Sequence, residues 1–381
     1  MKSTSRTRLT ALLASAAALA VSAGALPSTP AEAQAAQDAP APTVLARHLV
    51  APLSLAVNKE GVSFVSQNFG GPILRIEPGH RTREVVSAPA AELGGLSRRG
   101  RTLTFVVTGD STPNLARSSV KTIKDGDVQR IGNLGRAETN RNPDADAEYG
   151  FVGLDQPCAD QIDTSTFGPV VHTGVIESHP YATAKIGGTT YVADAAANVV
   201  WSVADHKVKA LSVLPPIPAE VTADVAGQFG LPDCTIGETF YAEPVPTDVE
   251  VGPHGRLYVT TLAGEFPDAG GIFRINPANG TTTEVFSGLF AATGLAVDRN
   301  GDMYVAMLFP GVILRIPAGG GAPQPFATVN QPAALEISDG RLYATVNVLS
   351  GLGFKQRQTQ FAPRDQELRA GPAGKLVRWK L

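Results

Sequence analysis

A repeated segment of about 40 residues dominates the sequence after residue 50. Each copy begins with a short strand-like segment that ends in a turn. A second such segment with an aromatic residue follows, and then a third, apolar segment that ends in a Gly/Pro/Asp turn. Four copies are clear and contain PLSLAVNKEGVSFVSQ, VPTDVEVGPHGRLYVTT, ATGLAVDRNGDMYVAM and QPAALEISDGRLYATV; two more are degenerate. Units of four short antiparallel strands at this spacing are typical of propeller blades. The sequence therefore predicts an all-β fold, a six-bladed β-propeller.

The aligned copies share an aromatic residue in the second strand and, in the clear copies, an arginine in the third. The aromatic residues are Phe64, Phe105, Tyr191, Tyr258, Tyr304 and Tyr343. The third-strand residues are Arg75, Arg274, Arg315 and Arg378, with Thr122 and Ser202 in the degenerate copies. We expect the aromatic side chains to pack between neighbouring blades.

The two ends of the repeat array are complementary. The last copy supplies three strands before the chain ends, whereas PTVLARHLVAPL near the N-terminus aligns with fourth strands such as TTTEVFSGLFAA. We therefore predict that residues 43–50 complete the last blade. Such closure removes the open sheet edge that invites aggregation.

The N-terminus has the features of an export signal. Three basic residues precede an apolar, Ala-rich run over 9–26, and Ala31-Glu32-Ala33 offers small residues for cleavage. Cleavage after Ala25 and a retained membrane anchor are the alternatives. We predict a signal peptide over 1–33, a linker over 34–42 and a single propeller domain over 43–381, in a secreted, extracellular protein.

The remaining composition narrows the possible partners. The formal net charge is −3 and no basic patch is present, which argues against nucleic acid. No segment after the signal is apolar enough to cross a membrane. Cys158 and Cys234 are predicted to form a disulfide, as expected of an even pair in an exported protein; two unrelated buried thiols are the alternative.

The long insertions all fall at one end of the predicted strands. They are the connections between blades over 135–179 and 214–245, and the loops over 109–118, 261–271 and 347–373. Turns at the other end are minimal. Because folding needs only short turns, we expect function to lie on the face that carries the insertions.

The segment from Ser178 to Leu262 resembles the ScyD/ScyE family of secreted bacterial propellers. The resemblance rests on SHPYATAKIGGTTYVADAAANVV, VLPP and VPTDVEVGPHGRLYVTTLAGEFP, and YVADAAANVV also resembles an NHL repeat. It implies the propeller fold and export. It implies no defined activity, and the second blade, 135–179 and 347–373 depart from the family pattern.

Calcium-dependent lactonases are also six-bladed propellers, with acidic and amide ligands at the channel mouth. The comparable positions here carry a single ligand-type residue, Asp248. The insertion over 144–163 is acidic but lacks the glycine and closing glutamate of an EF-hand loop. Its side chains are therefore expected to be solvated. Asp194 and Asn198 are expected to bond backbone groups of their turn.

We therefore predict an extracellular binding or scaffold propeller rather than an enzyme. The alternative is a hydrolase or isomerase related to the lactonase-type propellers. The candidate binding residues are His179, Tyr181, Glu243 and Asp248, and no catalytic residue is assigned. No cofactor or metal site is predicted, with calcium as the open alternative. The partner is expected to be a small molecule, a polysaccharide or an extracellular protein.

Overall fold

The computed structural model describes residues 41–69, 71–79, 81–88, 91–109, 115–264, 266–352 and 372–381. Within these ranges the chain forms seven four-stranded sheets and three short α-helices, α1 (Leu134–Arg141), α2 (Gln156–Ala159) and α3 (Ala223–Phe229). The predicted signal peptide and most of the 347–373 loop lie outside the described residues. No helix in the described ranges is both long and apolar enough to cross a membrane.

Five sheets are antiparallel meanders of four consecutive strands. Sheet 1 contains β2 (Leu55–Val57), β3 (Ser63–Ser66), β4 (Ile73–Ile76) and β5 (Arg83–Val86). Sheet 2 contains β6 (Ala91–Arg99), β7 (Thr102–Gly109), β8 (Ser119–Lys124) and β9 (Asp127–Asn133). Sheet 3 contains β12 (Pro180–Ile186), β13 (Thr189–Asp194), β14 (Val199–Ala204) and β15 (Lys207–Val213). Sheet 4 contains β18 (Pro246–Val251), β19 (Leu257–Thr261), β20 (Gly270–Ile275) and β21 (Thr282–Leu289). Sheet 5 contains β22 (Ala292–Val297), β23 (Met303–Met307), β24 (Val312–Ile316) and β25 (Gln324–Thr328).

Sheet 6 combines the two ends of the chain. It contains β26 (Leu335–Ser338), β27 (Arg341–Val346), β28 (Gly374–Lys380) and β1 (Thr43–Leu49). β1 pairs antiparallel with β28, with Thr43 opposite Arg378 and Leu49 opposite Gly374. The last sheet therefore takes its fourth strand from the N-terminal segment, at the residues where the sequence predicted it.

Apolar clusters join sheets 1 to 6 in cyclic order. Phe64 of sheet 1 packs with Leu93 and Leu103 of sheet 2, and the corresponding clusters join sheets 2 and 3, 3 and 4, 4 and 5, and 5 and 6. A further cluster returns from sheet 6 to sheet 1 through Tyr343 and Leu55. The first strands of neighbouring sheets also contact one another around the same circle. This radial packing of sheets face to face is a β-propeller.

The repeat alignment holds in five sheets and is wrong in sheet 2. Phe64, Tyr258, Tyr304 and Tyr343 lie opposite the shared arginines, and Tyr191 lies opposite Ser202. In sheet 2, however, Phe105 lies opposite Lys121, and Thr104 lies opposite Thr122. A one-residue offset turns a side chain to the other face of its sheet. Phe105 accordingly packs toward sheet 1 rather than sheet 3.

The insertions between sheets form a seventh sheet that the sequence analysis did not predict. This insertion sheet contains β10 (Glu148–Gly150), β11 (Val171–Thr173), β16 (Ile217–Glu220) and β17 (Thr239–Ala242), in the order β11-β10-β17-β16. The two insertions meet where Gly150 of β10 lies opposite Tyr241 of β17. A core that includes Phe151, Phe266 and Val249 continues from the insertion sheet into sheets 3 and 4.

A disulfide between Cys158 and Cys234 joins the same two insertions, as the sequence predicted. Cys158 lies in α2, and Cys234 lies in a short 3-10 helix over Asp233–Thr235. The bond closes a loop that contains all of sheet 3. It therefore fixes both insertions, which leave and enter the propeller on either side of that sheet.

We expect the pairing of β1 with β28 to be essential for stability. A chain that begins at residue 51 lacks β1, so sheet 6 has three strands and β28 is left as an open edge. Such a variant should aggregate, or melt at least about 10 °C below a chain that begins at residue 41, since several kcal/mol of packing is lost. Size-exclusion chromatography and thermal melts compare the two. Equal melting temperatures and equal solubility would show that β1 does not close the ring.

Candidate functional site

The first strands of sheets 1 to 6 converge on a central cavity. Its volume is about 20 Å³, and residues from all six sheets line it. These residues are Leu53, Ser54, Leu55, Gly95, Leu96, Tyr181, Ala182, Thr247, Asp248, Glu250, Thr293, Ala334 and Leu335. A cavity of this size holds about one water-sized group.

β18 supplies two acidic groups that line the cavity. Asp248 and Glu250 are two residues apart in the strand and therefore point to the same face. The carboxylate of Asp248 accepts hydrogen bonds from the backbone N–H groups of Val249 at 2.8 Å and of Leu295 at 2.7 Å. Because Leu295 belongs to β22, Asp248 also joins the first strands of sheets 4 and 5.

A third carboxyl group, that of Glu336 in β26, is electrostatically coupled to these two. Glu250 and Glu336 occupy the same repeat position, opposite Tyr258 and Tyr343 respectively. Sheets 1, 3 and 5 carry alanine at this position, at Ala56, Ala184 and Ala296. The sequence analysis missed both glutamates, although comparing the repeats position by position would have singled them out.

Burial favours the protonated form of all three carboxyl groups. It raises the pKa of Asp248 to about 7, against two backbone hydrogen bonds that lower it. Burial, with the charge of Asp248, raises the pKa of Glu336 to about 8. Burial and the charges of Glu336 and Asp248 raise the pKa of Glu250 well above its ordinary value. Among the described residues, no lysine, arginine or histidine forms an ion pair with any of the three.

A histidine–glutamate pair lies beside Tyr181. His179 Nε2 lies 3.5 Å from Glu92 Oε2, and the side-chain amide of Asn68 donates to Glu92 Oε1 at 2.7 Å. The His179 ring lies 5.9 Å from the ring of Tyr181, which lines the cavity. Burial opposes charge on both members of the pair. Even so, the pKa of Glu92 is lowered and that of His179 is raised, because each stabilises the charge of the other.

Asp194 holds His179 in place through the backbone. Its Oδ1 accepts from the His179 backbone N–H at 2.6 Å, and its Oδ2 accepts from the Ser178 hydroxyl at 2.7 Å and the Trp201 indole at 3.1 Å. Asp194 thus bonds the backbone before β12 rather than the backbone of its own turn, so the expectation from the sequence is wrong about its partners. Burial raises the pKa of Asp194, although these hydrogen bonds lower it.

Glu243 lies in a separate group of polar residues beside the insertion sheet. Its Oε1 lies 2.9 Å from Nε2 of His172. The side-chain amide of Asn198 lies 3.5 Å from Glu243 Oε2 and donates to Asp144 Oδ2 at 3.1 Å, while Asn198 Oδ1 accepts from the Val245 backbone N–H. We call Asp144, His172, Asn198 and Glu243 the insertion cluster.

The structure therefore divides the four residues that the sequence singled out. Tyr181 and Asp248 line the central cavity, and the ring of His179 lies 5.9 Å from the ring of Tyr181. Glu243 belongs to the insertion cluster. That any of the four binds a ligand stays a prediction. Within the described part of the chain, no group of three or more His, Cys, Asp or Glu side chains is arranged to hold a metal ion.

No protein-family model matches this sequence, and no curated protein matches it. Among solved structures, the chain is similar to virginiamycin B lyase from Staphylococcus aureus, with 14% identity, 80% of each chain covered and a TM-score of 0.45. It is also similar to a putative oxidoreductase (glucose dehydrogenase) from Thermus thermophilus, with 14% identity, coverage of 89% and 99%, and a TM-score of 0.48. A luciferin-regenerating enzyme gives 9% identity, coverage of 89% and 95%, and a TM-score of 0.49. Likeness at this level transfers no activity and no residue role.

We expect the carboxyl groups of the cavity to make the protein less stable as the pH rises. The pKa of Glu336 is about 8 in the folded chain and about 4.5 when unperturbed. Between these values the folded state holds a proton that the unfolded state has lost, so stability falls with rising pH and levels off above the folded pKa. The Glu336→Gln substitution removes this pH-dependent loss of stability, because glutamine does not ionise. The variant's melting temperature should match that of the unmodified chain at pH about 4.5 and exceed it by about 3–6 °C at pH about 8.5.

Glu284→Gln is the matched control, because Glu284 lies on the outermost strand of sheet 4 and is exposed. Its melting temperature should follow that of the unmodified chain at every pH. A Glu336→Gln variant that loses stability at pH about 8.5 would contradict the assignment of Glu336 as a buried, protonated acid.

Proposed function

We propose that this chain is an exported, six-bladed β-propeller. It binds one end of a small ligand in its central cavity, and the rest of the ligand lies toward the insertions. Sheets 1 to 6 are the six blades, and the insertion sheet is an addition to the ring. The cyclic order of the apolar clusters supports this count. The cysteine pair and the N-terminal segment support export. The ScyD/ScyE family, whose pattern the segment from Ser178 to Leu262 resembles, is the family to which we assign the chain.

We infer that the ligand carries a primary ammonium group. The observation behind this inference is that Asp248 and Glu250 line the cavity and that the charge of Glu336 acts on Glu250, while none of the three forms an ion pair with a basic side chain among the described residues. Replacing their protons with a cationic group would satisfy their charge and their hydrogen-bonding capacity together. A cavity of about 20 Å³ admits –NH₃⁺, which is close to water in size, but no sugar ring or trimethylammonium group.

The rest of the ligand would lie in the mouth of the cavity. Tyr181 offers an aromatic ring there, and the Glu92–His179 pair offers a fixed charge pair at its side. Burial, together with the charges of Glu92 and Asp248, raises the pKa of Tyr181, so its hydroxyl keeps its proton as a donor. A small molecule or the end of a larger one, such as an amino sugar or a peptide N-terminus, would fit this arrangement. We therefore favour binding over catalysis.

Ethylammonium tests the proposal without knowledge of the natural ligand. With three non-hydrogen atoms, its binding free energy is at most about −4.5 kcal/mol, so Kd should be about 0.5 mM or weaker. Isothermal titration at pH about 7 should be run in two buffers of different ionisation enthalpy. Binding should release up to about one proton, because Glu250 and Glu336 are largely protonated in the ligand-free protein. Ethylene glycol and tetramethylammonium should bind far more weakly.

The double substitution Glu250→Gln/Glu336→Gln should abolish this binding, whereas Glu284→Gln should leave it unchanged. Both glutamines keep the shape of the cavity and remove the acidic protons. Binding of ethylammonium that survives in the double variant, or that is independent of buffer ionisation, would contradict the proposal.

A further inference from the structure

A group of buried oxygen atoms beside the insertion cluster has no well-aligned hydrogen-bond partner within 3.5 Å. They are Oε1 and Oε2 of Glu138, Oδ1 of Asn142 and Oδ1 of Asp144. Glu138 is 0% exposed and Asp144 is 1% exposed. All four atoms are acceptors, and an unsatisfied buried acceptor costs about 1–3 kcal/mol, or more when it is charged. Such a concentration of unsatisfied acceptors in one short segment needs a donor or a cation.

The three residues lie together at the end of α1. Glu138 lies in the last turn of the helix, and its backbone carbonyl accepts from the N–H of Asn142, the C-cap residue, at 2.8 Å. The side-chain amide of Asn142 donates to the carbonyl of Gly174 at 3.0 Å. Asp144 packs against the same glycine. A Cβ at position 174 would lie 2.2 Å from Asp144 Oδ1, so only glycine leaves room for this carboxylate.

The surroundings of Glu138 are strongly negative. Besides burial, the charges of Asp194, Asp144 and Glu177 raise the pKa of Glu138, against a backbone N–H of Glu177 that lowers it. The end of α1 adds the negative pole of its helix dipole. Arg141 does not offset these charges, because it is exposed and its guanidinium donates to the carbonyl of Val208.

We propose that Glu138, Asn142 and Asp144 bind a calcium ion. The donors are all hard oxygens from two carboxylates and one amide, the set that Ca²⁺ prefers over softer metals. Calcium accepts six to eight oxygens in flexible geometry, so waters and backbone carbonyls complete its shell.

This site is distinct from the position that lactonase-type propellers suggest. That position corresponds to Asp248, whose carboxylate here bonds two backbone N–H groups in the central cavity. The calcium ion would instead join the end of α1 to the segment that leads into β12. Ser178 and His179 immediately precede that strand, so the ion would also hold the Glu92–His179 pair in place.

Thermal melts of protein stripped with a chelator test the proposal. Calcium should raise the melting temperature by about 4 °C at about 100 times Kd, and isothermal titration should give one ion per chain. The increment should vanish in Glu138→Gln and in Asp144→Asn, even if removing a buried charge raises the metal-free melting temperature. The calcium increment is therefore the readout, rather than stability itself.

Asp248→Asn is the matched control, because it removes a buried carboxylate in the cavity and leaves the end of α1 intact. It should keep the full calcium increment. Terbium luminescence adds a second readout, because the Tyr149 hydroxyl donates to Asp144 and places an aromatic antenna at the site. An increment that is absent in the unmodified chain, or that is lost in Asp248→Asn and kept in Glu138→Gln, would overturn the proposal.

Discussion

The packing of each propeller sheet against two neighbours is the constraint on which this structure depends. A four-stranded sheet has two faces, and here sheets 1 to 6 bury apolar side chains on both. Large side chains such as Trp201, Tyr343, Phe105 and Ile73 are fully buried. Every sheet can have both faces covered only when the last sheet packs against the first, so that the sheets form a closed ring. The pairing of β1 with β28 provides this closure, and it brings the first strands of all six sheets to one axis.

Closure also produces the unusual electrostatics of the cavity. The carboxyl groups near the axis are partly buried, and three of the repeats place alanine at the position of the two glutamates. Glu250 and Glu336 are exceptions whose charged forms the fold disfavours. Neither is needed for packing, since alanine satisfies the same position in sheets 1, 3 and 5. A partly buried acidic side chain at a position where alanine would suffice for packing is typical of functional sites.

The sequence predicted the features that repeat and missed those that depend on single contacts. Periodicity located the strands, the N-terminal strand in the last sheet and the aromatic register of five sheets. It failed for Phe105, because Thr104, one residue earlier in β7, is the residue that lies opposite Thr122. The insertion sheet was missed because its strands are only three or four residues long. In addition, β10 and β17, which pair with each other, are separated in the sequence by all of sheet 3.

The candidate site shows the same division. Asp248 and Tyr181 could be placed near the axis because each begins a first strand. Glu92 could not be paired with His179, because that contact joins different sheets and depends on side-chain direction. Glu243 was grouped with Asp248 from nearness in sequence, whereas in the structure the chain between them turns from the insertion sheet into β18. The orphan oxygens of Glu138, Asn142 and Asp144 appear only when burial is known.

The state of the cavity carboxyl groups can be measured directly. Carbon-13 NMR of the side-chain carboxyl carbons, recorded from pH about 4 to 9, reports the protonation of each acid. The account predicts that the signals of Glu250 and Glu336, assigned by their loss in the glutamine variants, titrate with apparent midpoints above about 7. Adding ethylammonium should shift these midpoints downward. Midpoints below about 5 for both residues would show that the acids are ionised without a ligand, and would contradict the central claim.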